Sequence, residues 1–154
     1  MNALCRFLNE FDRVVIGVMR KTQMPAARIA IFVVFFWFGI LKVVTISPAN
    51  PLVSDLLEKT LPFVSFSQFI FFFGLYEMLI GFTFLIPKLE RFAIALLAVH
   101  MGTTFMPLVL LPAVTWSAFL VPTLEGQYII KNLLIIALAM GIAAHLTPFR
   151  LRPQ

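Results

Sequence analysis

Between Ile29 and Ile46 the chain reads IAIFVVFFWFGILKVVTI, an apolar run interrupted by a single charge, Lys42. About 20 apolar residues, each rising ~1.5 Å along a helix, cross the ~30 Å hydrocarbon core of a bilayer. A run of this kind satisfies its backbone in lipid as a helix, whose hydrogen bonds all lie within the segment. Three later segments repeat the pattern, at about residues 67–86, 91–111 and 128–147, and the first runs over about 28–47. The expected fold is an all-α integral membrane protein: a four-transmembrane-helix up-down bundle in one domain, 1–154, led by an amphipathic interfacial helix over 1–24.

Composition closes the soluble alternative. Hydrophobic residues make up 61% of the chain and charged residues 12%, with 18 Phe, against about 45–50% and ~25% in soluble domains. No soluble fold of this length hides so much apolar surface. The net charge of +5 is spread between the apolar runs and reads as a topology signal, so no nucleic-acid partner is expected. Cys5 stands alone, which excludes an internal disulfide or a Cys-x-x-Cys redox pair. It reads as an ordinary near-membrane cysteine ahead of a palmitoylation site. No cleavable signal peptide is expected, because no continuous apolar region precedes Arg20.

Along the chain, Leu4, Leu8, Phe11, Val15 and Val18 recur at steps of three and four, with Arg6, Arg13 and Arg20 away from their centre. That pattern predicts a helix lying in the interface, with a helix packed on a partner protein as the alternative. Lys21–Arg28 reads as a hinge, with Pro25 in the first turn of the next helix. Residues 48–66 are too polar to span; Asn50-Pro51 reads as a cap and first turn of a short surface helix that ends near Pro62. Pro87 stops the second span, and the short turn after it makes the second and third spans antiparallel neighbours. Pro107 kinks the third, Pro112 ends it, and 112–127 forms a loop whose Trp116 suits an aromatic belt.

With both termini inside, Arg6, Arg13, Arg20, Lys21, Arg28, Lys88, Arg91, Arg150 and Arg152 fall on the cytoplasmic side and only Lys59 clearly outside. The expectation is a multi-pass protein with N- and C-termini in the cytoplasm. Residues 48–66 and 112–127 are then extracytoplasmic.

Function is sought in the polar groups within the spans: Lys42, Tyr76, Glu77, His100, Thr103, Thr104, Lys131, Asn132 and His145. Such groups are costly in lipid and face a bundle interior. Helix rise puts Glu77 about 15 Å above Pro87 and His100 about 13–14 Å above Arg91, on neighbouring helices at nearly one level. Lys42 sits about 21 Å beyond Arg28, within side-chain reach of Glu77. Lys131 and Asn132 open the fourth span, so these groups together predict a polar cavity in the outer half of the bundle. The catalytic candidates are Glu77 and His100; the cofactor-binding candidates are Lys42, Tyr76, Lys131 and Asn132. The same groups serve equally as an ion pair that only fixes helix register. His145 lies about 10 Å below His100 along the axis, which argues against one haem between them. No zinc or iron–sulfur spacing occurs, so no metal is expected. Gly74 and Gly81, seven apart, allow a close helix approach.

Several short motifs carry a resemblance. Phe38-Gly39-Ile40-Leu41-Lys42, Glu77 with Gly81 four residues on, and Glu125-Gly126-Gln127-Tyr128-Ile129-Ile130-Lys131-Asn132-Leu133 resemble the first, second and fourth helices of DoxX-like membrane proteins. The extended segment after the first span and the lengthened loop before the fourth are more similar to the YkgB/RclC branch. The resemblance implies a compact four-helix protein of the bacterial inner membrane. Some DoxX-like members are small subunits of quinone-linked oxidoreductases, and others are tied to oxidative-stress responses. It also implies Lys42, Glu77, Lys131 and Asn132 as positions of interest; His100 rests on the depth argument alone. The functional expectation is an oxidoreductase subunit holding a quinone or similar small molecule, with other membrane subunits or a homo-oligomer as partners beside the lipid bilayer. The alternatives are a proton or small-anion transporter component and a purely structural or assembly subunit.

Overall fold

The computed structural model describes residues 3–148; the basic tail with Arg150 and Arg152 lies outside them. The chain is mostly helical, and four helices are long and apolar enough to cross a membrane: Leu4–Val43, Phe66–Leu85, Glu90–Leu110 and Leu124–Ala143. In elements, these are α1 (Ala3–Val43), α3 (Phe66–Leu85), α4 and α5 (Glu90–Phe105, Pro107–Leu110), and α7 and α8 (Leu124–Ile130, Leu133–Ala143). Helix α1 packs on α3, α3 on α4, α4 on α8 and α8 on α1, closing a ring of four. Two levels of contact set the direction of each neighbour. Gly39 of α1 meets Gly74 of α3, and Phe32 and Phe36, further back on α1, meet Gly81, further on in α3, so the two run antiparallel.

The core follows from one stripe on each helix. On α1 the buried residues are Ala27, Ile31, Phe35, Gly39 and Lys42, at steps of four and three. On α3 they include Ile70, Gly74, Glu77, Ile80, Gly81 and Phe84, and on α4 Glu90, Ala93, Leu97, His100 and Met101. Ala139 and Ile142 of α8 close the cluster. The outward sides are apolar too: Trp37, Phe72, Val99 and Leu134, one on each long helix, are each more than half exposed. That arrangement fits a lipid solvent and not water.

Close approach of α1 and α3 depends on glycine. A Cβ at Gly39 would lie 2.6 Å from the Gly74 carbonyl oxygen, and one at Gly74 the same 2.6 Å from that of Gly39. At Gly81 a Cβ would sit 3.2 Å from the Phe32 carbonyl. The two backbones therefore touch, as in small-residue helix pairs in membranes.

At the Lys42 end, Thr45 takes φ 61° as α1 turns out into the α2 segment (Asn50–Thr60). Helix α2 packs on α3 and α5, and Lys59 Nζ donates to the Leu110 carbonyl at 2.5 Å. At the opposite end, the Arg28 and Glu90 side chains pair at 2.5 Å and tie α1 to the start of α4. Arg91 donates to the Thr147 carbonyl, joining the start of α4 to the residues after α8.

Four expectations are corrected. The hinge at Lys21–Arg28 is not a break: α1 runs helical through Pro25, whose φ suits a helix even without its N–H. Residues 4–16 and 18–23 are exposed all round in the described structure, so this part of α1 is not packed on the rest of the chain. Asn50 is not the cap of α2; Ala49 holds that position, and the Asn50 amide donates instead to the Thr45 carbonyl at 3.1 Å. The fourth long helix begins at Leu124 and not at Tyr128, because the Thr123 hydroxyl accepts from the Gly126 N–H at 3.2 Å and caps it. The loop before it contains a short helix, α6 (Pro112–Thr115), and a two-strand hairpin, β1 (Trp116–Ala118) against β2 (Val121–Pro122), antiparallel. Trp116 donates its indole N–H to the Leu108 carbonyl at 2.9 Å, which ties the hairpin to α5.

The glycine contact makes a direct test. Gly39→Val and Gly74→Val should each destabilise the bundle by about 1–3 kcal/mol or more, since backbone cannot move aside. Gly102→Ala, with nothing within 4 Å of its Cβ, should be close to neutral. Thermal unfolding in mild detergent measures the difference; equal midpoints for all three would remove the glycine contact as a determinant.

Candidate functional site

Lys42, Glu77 and His100 occupy the same stripes as the core apolar residues, one on each of α1, α3 and α4. Each is only 5–6% exposed. Gly39 lies one helical turn before Lys42, and Gly74 lies three residues before Glu77. The contact that brings the backbones together therefore also sets the two side chains face to face.

Glu77 is the hub. Lys42 Nζ donates to both carboxylate oxygens, at 2.9 Å to Oε1 and 2.7 Å to Oε2. His100 Nε2 lies 2.9 Å from Oε1. With Glu77 ionised its oxygens only accept, which assigns the hydrogen of this contact to Nε2. On the other side of the ring, Nδ1 lies 3.1 Å from the Thr104 hydroxyl. Aromatic side chains wall the group. Phe73 stacks on the imidazole at 5.2 Å with planes 6° apart, and Phe35 meets it edge-on at 5.1 Å. The Lys42 ammonium also stands 5.5 Å from the Phe73 ring centre.

A buried ion pair is expensive to desolvate and is held in place by further hydrogen bonds and good geometry. Here both carboxylate oxygens and both imidazole nitrogens have partners. Chemically, the arrangement holds an ammonium, a carboxylate and an imidazole in one line of hydrogen bonds, in which a proton has short distances to move.

The other sequence candidates lie elsewhere. Tyr76 is near the imidazole, at 6.1 Å between rings, but its hydroxyl donates to the Leu96 carbonyl at 2.7 Å. Lys131 is exposed, with its ammonium 3.7 Å from the centre of the Tyr128 ring. Asn132 donates to the Tyr128 carbonyl at 3.2 Å. Lys131 and Asn132 form the turn between α7 and α8 and do not join Lys42 and Glu77. The expected polar cavity bounded by all of them is therefore replaced by a compact buried network. Of the four cofactor-binding candidates, Lys42 and Tyr76 lie by the Glu77–His100 pair, and Lys131 and Asn132 lie in the α7–α8 turn. His145 is exposed and its Nδ1 donates to the Gly141 carbonyl at 2.9 Å. Among the described residues no group of three or more His, Cys, Asp or Glu is placed to hold a metal.

Thr104 is the member that sequence reasoning left without a role. Its signal was present: a threonine four residues after a buried histidine shares that histidine's helix face.

No protein-family model, curated protein or solved structure matches the chain. The likeness to DoxX-like proteins therefore rests on the short motifs quoted for it.

The pair's energetics can be read by substitution. Glu77→Leu leaves the Lys42 ammonium buried without a counter-charge and should cost about 3–5 kcal/mol. Adding Lys42→Met removes the stranded charge and should restore most of that loss. A double-mutant cycle from unfolding in detergent checks it, and a double variant no better than Glu77→Leu alone would show that the ion pair is not the source.

Proposed function

We propose that the chain is a small multi-pass accessory subunit of an oxidoreductase complex in a bacterial cytoplasmic membrane, similar to DoxX-like proteins. In this reading both termini lie in the cytoplasm, and the Lys42 end of the bundle, with α2 and the hairpin, faces the other side. The exposed first part of α1 follows the membrane interface, with Arg6, Arg13 and Arg20 toward headgroups. The Glu77–His100 couple holds and passes a proton, and Lys42 hydrogen-bonds to both oxygens of the carboxylate.

The observation that carries this reading is the hydrogen-bonded line from Lys42 through Glu77 and His100 to Thr104, drawn from three helices. Imidazole is the side chain best suited to exchanging protons near neutral pH. In this reading a catalytic partner supplies the electrons. A quinone belongs to that complex as its diffusible carrier; no residue set in this bundle is assigned to it.

One observation favours a second reading, in which the chain only scaffolds a complex. The network's polar atoms are all partnered within the bundle, which suits an assembly that fixes helix register.

Glu77→Gln separates the two. After gentle purification in nanodiscs, the complex should carry a stoichiometric redox partner. The Glu77→Gln complex should assemble yet lose about 10²–10⁴-fold in quinone-linked turnover, the usual worth of general acid–base help. Full turnover in an assembled variant would sink the proton reading; failure of assembly with unchanged turnover per assembled complex would establish the scaffold. A clean homo-oligomer with no partner would overturn the subunit reading, and flux assays in liposomes would then test transport.

Orientation has its own check. In a Cys5→Ser background, Ala118→Cys, exposed on the hairpin, should react with a membrane-impermeant maleimide added outside intact cells. Labelling only after the cytoplasm is opened would invert the assignment.

A further inference from the structure

We propose that Thr104 is a positioning residue whose hydroxyl turns between two acceptors, so that His100 gains and loses a proton without breaking any other bond of the buried network. This rests on the reading of Glu77 and His100 as a proton couple.

The geometry gives the Thr104 oxygen two partners on one residue. It lies 3.1 Å from His100 Nδ1 and 2.9 Å from the His100 carbonyl oxygen. A hydroxyl has one hydrogen and two lone pairs, so it serves these two in two ways. With a neutral ring, Nε2 donates to Glu77, Nδ1 offers its lone pair, and the Thr104 O–H donates to Nδ1. With a protonated ring, Nδ1–H donates to the Thr104 oxygen, and the O–H turns to the His100 carbonyl. The incoming proton, taken from water, binds the Nδ1 lone pair. No covalent bond between heavy atoms forms or breaks, and its release reverses the same step.

A second contact makes the turn free of penalty. Thr103 Oγ1 also donates to the His100 carbonyl, at 2.8 Å. That carbonyl keeps a side-chain donor in both states, so the Thr104 hydrogen is not tied to it. Nε2 keeps its bond to Glu77 throughout, and Glu77 keeps both bonds from Lys42.

Charge decides which state rests and which is transient. Lys42 from α1 and Glu77 from α3 cancel, and a neutral imidazole leaves the buried set at net zero. The remaining groups that face the ring are the uncharged Phe35, Phe73 and Tyr76. Helix α8, which packs on α4, carries no ionisable residue between Leu133 and Ala143. Proton uptake thus raises the set to net +1, a loaded state that passes its proton on when an acceptor arrives.

The test is nitrogen NMR of the full chain, labelled with ¹⁵N-histidine, in lipid nanodiscs. The chain has two histidines, and His145→Gln assigns the spectrum. At rest His100 should show a protonated Nε2 and a hydrogen-bonded imine Nδ1. On acidification Nδ1 should become a hydrogen-bonded N–H while the Nε2 signal of the Glu77 bond persists. Thr104→Ser should reproduce both spectra. Thr104→Val, similar in shape and without the hydroxyl, should keep the Nε2–H form but show Nδ1 as an unbonded imine nitrogen. A resting ring protonated on Nδ1, a ring fixed in one state wherever the protein stays folded, or a Thr104→Val spectrum identical to wild type would each overturn the proposal. These spectra come from the isolated chain, so they stand apart from the turnover of Glu77→Gln in a complex, which judges the proton-couple reading.

Discussion

The Lys42–Glu77 pair exists because two helix backbones touch. Removing an ammonium and a carboxylate from water costs several kcal/mol each, and only close, multiply bonded geometry returns it. Gly39 and Gly74 remove the side chains that would hold α1 and α3 apart. With the helices in contact, Lys42 reaches both oxygens of Glu77 within 3 Å while its stem stays in the core. The charge pair in turn fixes what glycine leaves open. A smooth Gly–Gly contact permits sliding and rotation, but a one-residue shift turns a helix face by about 100°, which would strand both charges. Packing brings the charges together, and the charges set the register of the packing.

Depth along a helix was legible from the chain, and azimuth only partly so. Proline and charge boundaries fixed the end of the first apolar helix and both ends of the other three to within a few residues, and counting rise from them put Glu77 and His100 at one level. The structure joins the two at 2.9 Å. The same counting placed Lys131 and Asn132 near the Lys42 end, but level says nothing about which way a side chain turns. Both fall in the α7–α8 turn, where Lys131 is exposed and Asn132 bonds to the Tyr128 carbonyl. For Lys42 and Glu77 azimuth was available, since each continues a stripe of small or apolar residues at steps of three and four. The hairpin was hidden for a different reason. Its turn is Phe119-Leu120, with Leu120 at φ 57°, where glycine or asparagine would ordinarily announce the bend. Pro25 misled in the opposite direction, because proline weakens a helix without compelling it to stop.

The two ends of the bundle are built differently. At the Arg28 end, an ion pair links α1 to α4 and a carbonyl contact links α4 to the residues after α8. At the Lys42 end, α2, α5, α6 and the hairpin form a cap, stitched by Lys59 to Leu110 and by Trp116 to Leu108. The buried network lies between these ends, and aromatic rings surround the imidazole. The network is buried, and hydrogen bonds there are both stronger and more costly to lose than at the surface.

That contrast bears on why a histidine is present at all. Register between α1 and α3 is already set by the glycine contact and the Lys42–Glu77 pair. Register between α1 and α4 is helped by the Arg28–Glu90 ion pair, which needs no imidazole. A scaffold so fixed gains little from an imidazole on Glu77; an asparagine or glutamine amide would hydrogen-bond to the carboxylate as well. What only the imidazole adds is a second charge state with a donor and acceptor pattern that Thr104 can answer. His100 is bonded on one nitrogen to a carboxylate and on the other to a hydroxyl with an alternative acceptor.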